Sequence, residues 1–152
     1  KMSQIAIKNI AVNRKARHDY HLLETYEAGL ELFGMEVKSI RQNKVSLADT
    51  YAQIIDGEAW IIGMHISPYK QAGQFNVDPE RKRKLLLHKR EIRKIQNDIQ
   101  QKGLTLVPTK LYLKGSLVKI EIAVARGKKS YDKRQDLKTR ELEQQIRRRV
   151  EN

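Results

Sequence analysis

Residues 117–125 restrict the possible folds more than any other stretch. Val118, Ile120, Ile122 and Val124 alternate with Lys119 and Glu121, the period of two expected of a strand with one face on a core. Lys114-Gly115-Ser116 precedes it as a turn, so residues 104–113 are its expected antiparallel partner. Pro108 has no N–H to give to a ladder and marks an edge or a bulge there. Asp56-Gly57 separates two further apolar runs, 51–55 and 58–64, and this dipeptide suits a two-residue hairpin turn.

Two segments carry helical spacing instead. Leu23, Tyr26, Leu30 and Phe33 predict a helix over 23–33 with Gly34 as its stop. Ile92, Ile95 and Ile99 predict one over 88–102, with Gly103 just past its end. Strands near 17–22 and 35–41 complete the set. Six short strands and two inserted helices predict a mostly-β (α+β) antiparallel small barrel over residues 1–125. Tyr26 and Phe33 are expected in its core, and Tyr69 and Phe75 over a barrel end. The spacing does not fix which face Trp60 takes.

Charge then narrows the function. The 152 residues hold 31 Lys plus Arg against 18 Asp plus Glu, for a net charge of +13. Self-repulsion of this size points to a polyanionic partner. Residues 80–94 gather eight basic side chains, Arg81, Lys82, Arg83, Lys84, Lys89, Arg90, Arg93 and Lys94, against only Glu80 and Glu91. From 126 to 152 ten Lys or Arg face five acids, and only Leu137, Leu142, Ile146 and Val150 are aliphatic. So narrow a stripe has little to dock with, and predicts a basic tail that is disordered alone or orders on a partner. An ordinary solvated helix face also carries charge runs, but here the acids that would pair them are scarce. Two basic segments in one small chain make the footprint of a nucleic-acid-binding protein.

A third cluster, Asn13-Arg14-Lys15-Ala16-Arg17-His18-Asp19-Tyr20, sets forked guanidinium donors, an amide and a stackable ring within eight residues. Such groups hold phosphates and stack on unpaired bases. The absence of cysteine excludes thiolate metal sites, disulfides and a cysteine nucleophile. His18, His21, His65 and His88 form no ligand spacing, and no Gly-rich phosphate loop or nucleophile elbow occurs. No catalytic residue, metal or cofactor is therefore expected. No apolar run approaches the ~20 residues that cross a bilayer, and no signal-peptide pattern is present. A cytoplasmic monomer without membrane attachment is the expectation.

Five blocks carry a further signal: N-R-K-A-R-H-D-Y (13–20), Y-E-A-G-L-E-L-F-G-M-E-V-K-S-I-R (26–41), D-T-Y-A-Q-I-I-D-G-E-A-W (49–60), R-K-L-L-L-H-K-R-E-I (83–92) and A-R-G-K-K-S-Y-D-K-R (125–134). In this order and spacing, from about Ile10 into the tail, the chain resembles the SsrA-binding protein family, also called small protein B. The resemblance implies an oligonucleotide-binding-type barrel on the tRNA-like domain of tmRNA. It implies a tail that reaches the decoding region and mRNA channel of a stalled ribosome, where tmRNA enters without a codon and tags the unfinished peptide in trans-translation. Carried over by motif, Asn13, Arg14, Arg17, Tyr20, Glu27, Leu86 and Lys119 would face RNA, with Arg81, Lys82, Arg83 and Lys84 added from the basic run. Lys128, Lys129, Tyr131, Asp132, Lys133 and Arg134 would open the ribosome-binding tail. A general RNA-binding barrel or ribosomal protein without tmRNA specificity satisfies the same charge pattern, and an RNA-processing enzyme would need acidic or histidine clusters that the sequence does not show.

Overall fold

In the computed structural model, Asp56 and Gly57 both take positive φ, 50° and 76°, the backbone that a tight primed turn demands. They join two antiparallel strands as the dipeptide predicts. The structure describes residues 5–128 together with 134, 138, 140–142, 144 and 145, the side chains of 74 and 75 excepted. Along the chain run β1 (Ile7–Val12), α1 (Arg14–Asp19), β2 (Tyr20–Leu30), α2 (Gly34–Arg41), β3 (Val45–Ser46), β4 (Tyr51–Ile55) and β5 (Glu58–Ile62). Then follow β6 (His65–Ile66), a 3-10 turn (Lys70–Phe75), β7 (Arg83–Leu86), α3 (Lys89–Lys102), β8 (Thr105–Lys114) and β9 (Leu117–Gly127).

Seven strands form one antiparallel sheet in the order β1-β8-β9-β2-β7-β5-β4, and β3 pairs with β6. The sheet curls until β4 and the start of β8 line one cavity with α3, among them Tyr51, Gln53, Gln96, Gln100 and Leu106. The result is the mostly antiparallel, OB-like architecture expected, with helices inserted between strands. Strand β9 behaves as its alternation predicts: Ile120, Ile122 and Val124 are buried in the main core with Leu111, Leu106, Ile61 and Leu85. Pro108 sits at a register shift between Pro108 and Lys110, the bulge its missing N–H predicts. Helix α3 also holds, with Ile95 fully buried and Gly103 in the left-handed conformation at φ 63°.

Two expected elements are corrected. Residues 23–33 are not a helix: 23–30 belong to the long strand β2 and 31–33 to the loop after it, while 35–41 are not a strand but lie in helix α2. The stretch 20–30 carries both periods, since Tyr26, Ala28 and Leu30 also alternate. Tertiary pairing selects the second period: β2 lies against β9 along nearly its whole length, and against β7 at its end. Leu23 and Phe33, members of the helical stripe, are consequently 51% and 50% exposed. Phe33 is thus outside the core, whereas Tyr26 is inside it. In α2, Glu36, Ser39 and Ile40 are buried on one helical face, and Glu36 accepts from the Phe33 N–H at 2.9 Å to start the helix. Residues 17–19 of the strand expected near 17–22 belong to α1 instead, residues 20–22 open β2, and β1 is a further strand at the edge of the sheet.

A smaller apolar cluster lies on the opposite side of the sheet. Ala16 of α1 covers Val107, Ala123 and Ala125, with Tyr20 and Leu22 packed around them. This packing fixes the basic helix α1 on the outer face of β8, β9 and β2. Residues 134, 138, 140–142, 144 and 145 of the tail are helical and exposed, Leu142 at 58%.

Candidate nucleic-acid interface

The register of the sheet lays one side-chain row across four strands. Leu86 of β7 lies opposite Gly29 of β2, Gly29 opposite Lys119 of β9, and Lys119 opposite Tyr112 of β8. The neighbouring row runs Glu27, Glu121 and Lys110. Both rows stand on the face away from the main core, because Leu85, Ala28, Ile120 and Leu111 fill the core from the alternate positions. Lys119 is therefore on the outer face, the point its alternation alone left open. Leu86 is 50% exposed, an apolar side chain on a polar sheet face.

Glu27 is held in place on this face. Tyr112, itself buried, donates its hydroxyl to the Glu27 carboxylate, and Lys114 Nζ donates to Glu27 Oε1 at 3.2 Å. The Tyr112 hydrogen bond is the main cause that keeps the Glu27 carboxyl below the usual range; Lys114 and Lys119 add to it against the opposing effect of burial. Burial and the Glu27 charge together push the Tyr112 hydroxyl up, so it stays a donor. Glu121 beside them accepts from Thr109. Glu27 thus sits on a strand, not on the helix its sequence spacing suggested.

Helix α1 closes one end of the face. Arg14, Lys15 and Arg17 are exposed, while Ala16 turns inward. Asn13 begins the helix by donating Nδ2 to the Pro108 carbonyl at 2.9 Å, and its backbone N–H reaches Thr109 O at 2.7 Å. The amide expected to face RNA therefore anchors α1 to the β8 bulge. Tyr20 is half-buried in the cluster under α1. At the other end of α1, the Lys128 N–H donates to Asp19 O at 2.8 Å and its Nζ to Arg17 O at 2.9 Å. Lys128, just past the end of β9, is thereby held against the basic helix. Arg134 is exposed; Lys129, Tyr131, Asp132 and Lys133 lie outside the described residues.

The basic run 81–84 is divided by the strand pleat. Arg83 is fully buried: its Nε meets Glu36 Oε2 at 2.6 Å, and its two terminal nitrogens donate to Met64 O at 2.6 Å and Pro79 O at 2.9 Å. It is removed from the RNA-facing set, because β7 points it into the core where Glu36 of α2 neutralises it. Arg81 bonds the other Glu36 oxygen at 2.6 Å and lies 4.6 Å from the Phe33 ring centroid. Lys82 and Lys84 alone turn to the outer face. Lys82 Nζ sits 4.9 Å from the Trp60 ring centroid, and Lys84 pairs with Glu58 at 3.2 Å. Trp60 is thereby placed outward, opposite Lys84.

Burial pushes the Glu36 carboxyl up, but the donors from Arg81, the Phe33 N–H and Arg83 outweigh it, so the group stays ionised and below its ordinary value. Among the described residues no group of three or more His, Asp or Glu side chains is placed to hold a metal ion. No helix of the described residues is long and apolar enough to cross a membrane. Tyr112 and Lys114, which hold Glu27 on this face, are candidate residues that sequence reasoning missed. Their signal was the alternation of Lys110, Tyr112 and Lys114 on β8, legible only once the Pro108 bulge fixes which face these positions take.

Comparison with known proteins agrees with the geometry. The family described as "SmpB protein" matches residues 10–152. An SsrA-binding protein of Oleidesulfovibrio alaskensis is 58% identical over 141 residues, 93% of this chain and 91% of the relative. One from Nostoc punctiforme is 57% identical over 142 residues, covering 93% and 92% respectively. A solved structure described as "tmRNA-SmpB: a journey to the center of the bacterial ribosome" superposes with a TM-score of 0.64 at 51% identity, covering 78% of this chain and 84% of the other. The outer sheet face, its basic flanking helix and the family match over residues 10–152 lead to one assignment: this chain belongs to the SmpB family of SsrA-binding proteins.

Proposed function

We propose that this protein binds the tRNA-like domain of tmRNA through the outer face of β2, β7, β8 and β9 with helix α1, and delivers it to stalled ribosomes for trans-translation. The observation that carries this reading is the single side-chain row Leu86–Gly29–Lys119–Tyr112, with Glu27 beside it and Arg14 and Arg17 at its end. Lysine, arginine and an aliphatic shelf on one curved sheet offer phosphate contacts and an apolar surface for unstacked bases. Residues 1–125 are the RNA-binding body and residues 126–152 the ribosome-directed tail, whose Lys128 is held against α1. The protein acts as a cytoplasmic monomer that binds and positions, with no reaction of its own.

Competition binding tests the first half. Labelled tRNA-like-domain RNA should be displaced by tmRNA and poorly by an unrelated hairpin of equal length; equal displacement would leave only a general RNA-binding protein. Truncation after Tyr131 tests the second half. It should leave thermal stability and most tmRNA affinity in place while abolishing peptide transfer on stalled ribosomes. A truncated protein that still supports transfer removes the tail from the mechanism.

A further inference from the structure

We propose that the Glu27 carboxylate is the base-reading group of this face, selecting an unpaired guanine, and that Tyr112 and Lys114 are its positioning residues. This rests on the RNA-binding reading of the same face. An acid on a cationic surface meant for phosphates is a liability unless it meets hydrogen-bond donors. Glu27 is 37% exposed on its side chain, so its outward lone pairs are available to a ligand. Its sheetward side is already filled: Tyr112 donates to Oε2, and Lys114 donates to Oε1 at 3.2 Å and to Oε2 at 3.5 Å. Two donors from β8 therefore fix both oxygens of a carboxylate carried on β2, across the intervening strand β9.

An ionised carboxylate only accepts. Among RNA bases, guanine alone presents two adjacent N–H groups on one edge, N1–H and N2–H2, that can meet both oxygens of one carboxylate. Cytosine, adenine and uracil each offer a single donor group there. Beside the clamp, Gly29 leaves the outer face of β2 without a side chain. A Cβ there would lie 3.3 Å from Leu86 Cβ. Leu86, packed over this glycine yet half exposed, supplies an apolar shelf for the plane of a base whose edge reaches Glu27. The bland alternative is that Glu27 only balances Lys114 and Lys119, as exposed pairs do with little effect on stability. That alternative gives the buried Tyr112 hydroxyl no role in choosing a base.

The test uses the full chain and transcribed tRNA-like-domain RNA in which each unpaired loop guanine is replaced in turn by inosine, which keeps N1–H but lacks the 2-amino group. One replacement should weaken wild-type binding about tenfold, the discrimination typical of a two-bond base contact. The same replacement should change binding by less than about twofold in Glu27→Gln. Tyr112→Phe and Lys114→Met should each bind the RNA yet lose most of the guanine-over-inosine ratio. Lys114 is a surface residue, so its variant reports even where Tyr112→Phe melts early. Selective binding of tRNA-like RNA that tolerates every inosine overturns the base-reading role alone. Loss of preference for tRNA-like over unrelated RNA in the wild type overturns the underlying function instead. Discrimination retained in folded Tyr112→Phe and Lys114→Met removes both from the positioning role.

Discussion

The Arg81–Lys84 run and the Glu27 clamp are both charged, yet they use charge in opposite ways. In the run, strand pleating turns Arg83 inward and leaves Lys82 and Lys84 outside, while Arg81 and Arg83 share the Glu36 carboxylate. In the clamp a single acid is held outward by Tyr112 and Lys114. The more basic stretch of sequence therefore contributes much of its charge to holding α2 on β7, and the less basic one presents a single acid outward. Density of charge along a chain does not measure charge available to a partner.

Breaking the buried side of this comparison should have the largest effect. Arg83→Met leaves Glu36 with one guanidinium in place of two and strands two backbone carbonyls, Met64 O and Pro79 O. Loss of one partner of a buried pair costs about 3–5 kcal/mol, read as a large drop in denaturant midpoint. A variant as stable as the wild type would show that the pair is dispensable and Arg83 free to have another role.

Glu27→Ala should do the reverse. Glu27 stands on the outer face and gives up only its bonds to Tyr112 and Lys114, so unfolding should move far less than in Arg83→Met, by about 1 kcal/mol, while binding to tmRNA falls by about 1–3 kcal/mol. Early unfolding of the variant would make Glu27 structural and erase the contrast.

Acid provides a third, more modest separation. The Glu36 carboxyl lies below its ordinary value in the fold. Its contribution to stability is therefore complete above the unfolded carboxylate pKa and is lost as pH falls through the depressed folded value. Melting temperature should hold through mildly acidic pH and decline below the ordinary carboxylate range, and Glu36→Gln should flatten that decline. An identical acid profile in Glu36→Gln would assign it to other carboxylates.

The smallest effects belong to Lys82 and Lys84. Each single change to Met should alter stability by no more than about 0.5 kcal/mol, as exposed ion pairs do. Each should lower the salt dependence of RNA binding by roughly one phosphate contact. An unchanged slope for both would mean that β7 lies outside the RNA footprint.

Much of this was legible beforehand. The hairpin at Asp56-Gly57, the helix ending at Gly103, the β8–β9 pair and the Pro108 bulge all rest on local rules: a turn that needs positive φ, a helix that needs an αL stop, a ladder that proline interrupts. The failures were of another kind. Residues 20–30 satisfy two periods at once, and pairing with β9 and β7 picked the strand. Arg83 looked like its neighbours because burial is not written in residue type, and the bond from the Asn13 amide to the Pro108 carbonyl joins residues 95 positions apart, which no local pattern shows.

The sequence alone determined the charge excess, the alternation that makes β9 a core strand, the turns, and the motif order that marks the family. These depend on residues near one another along the chain or on composition. Only the tertiary structure decided which charges meet water and which meet each other. That choice depends on how strands far apart in sequence pair: β2 and β8 on either side of β9 bring Glu27 to Tyr112 across 85 positions, and the pairing of β7 with β2 and β5 turns Arg83 inward to Glu36 of helix α2 across 47. A one-residue slip in either pairing would turn these side chains to the opposite face, and no local pattern records that register.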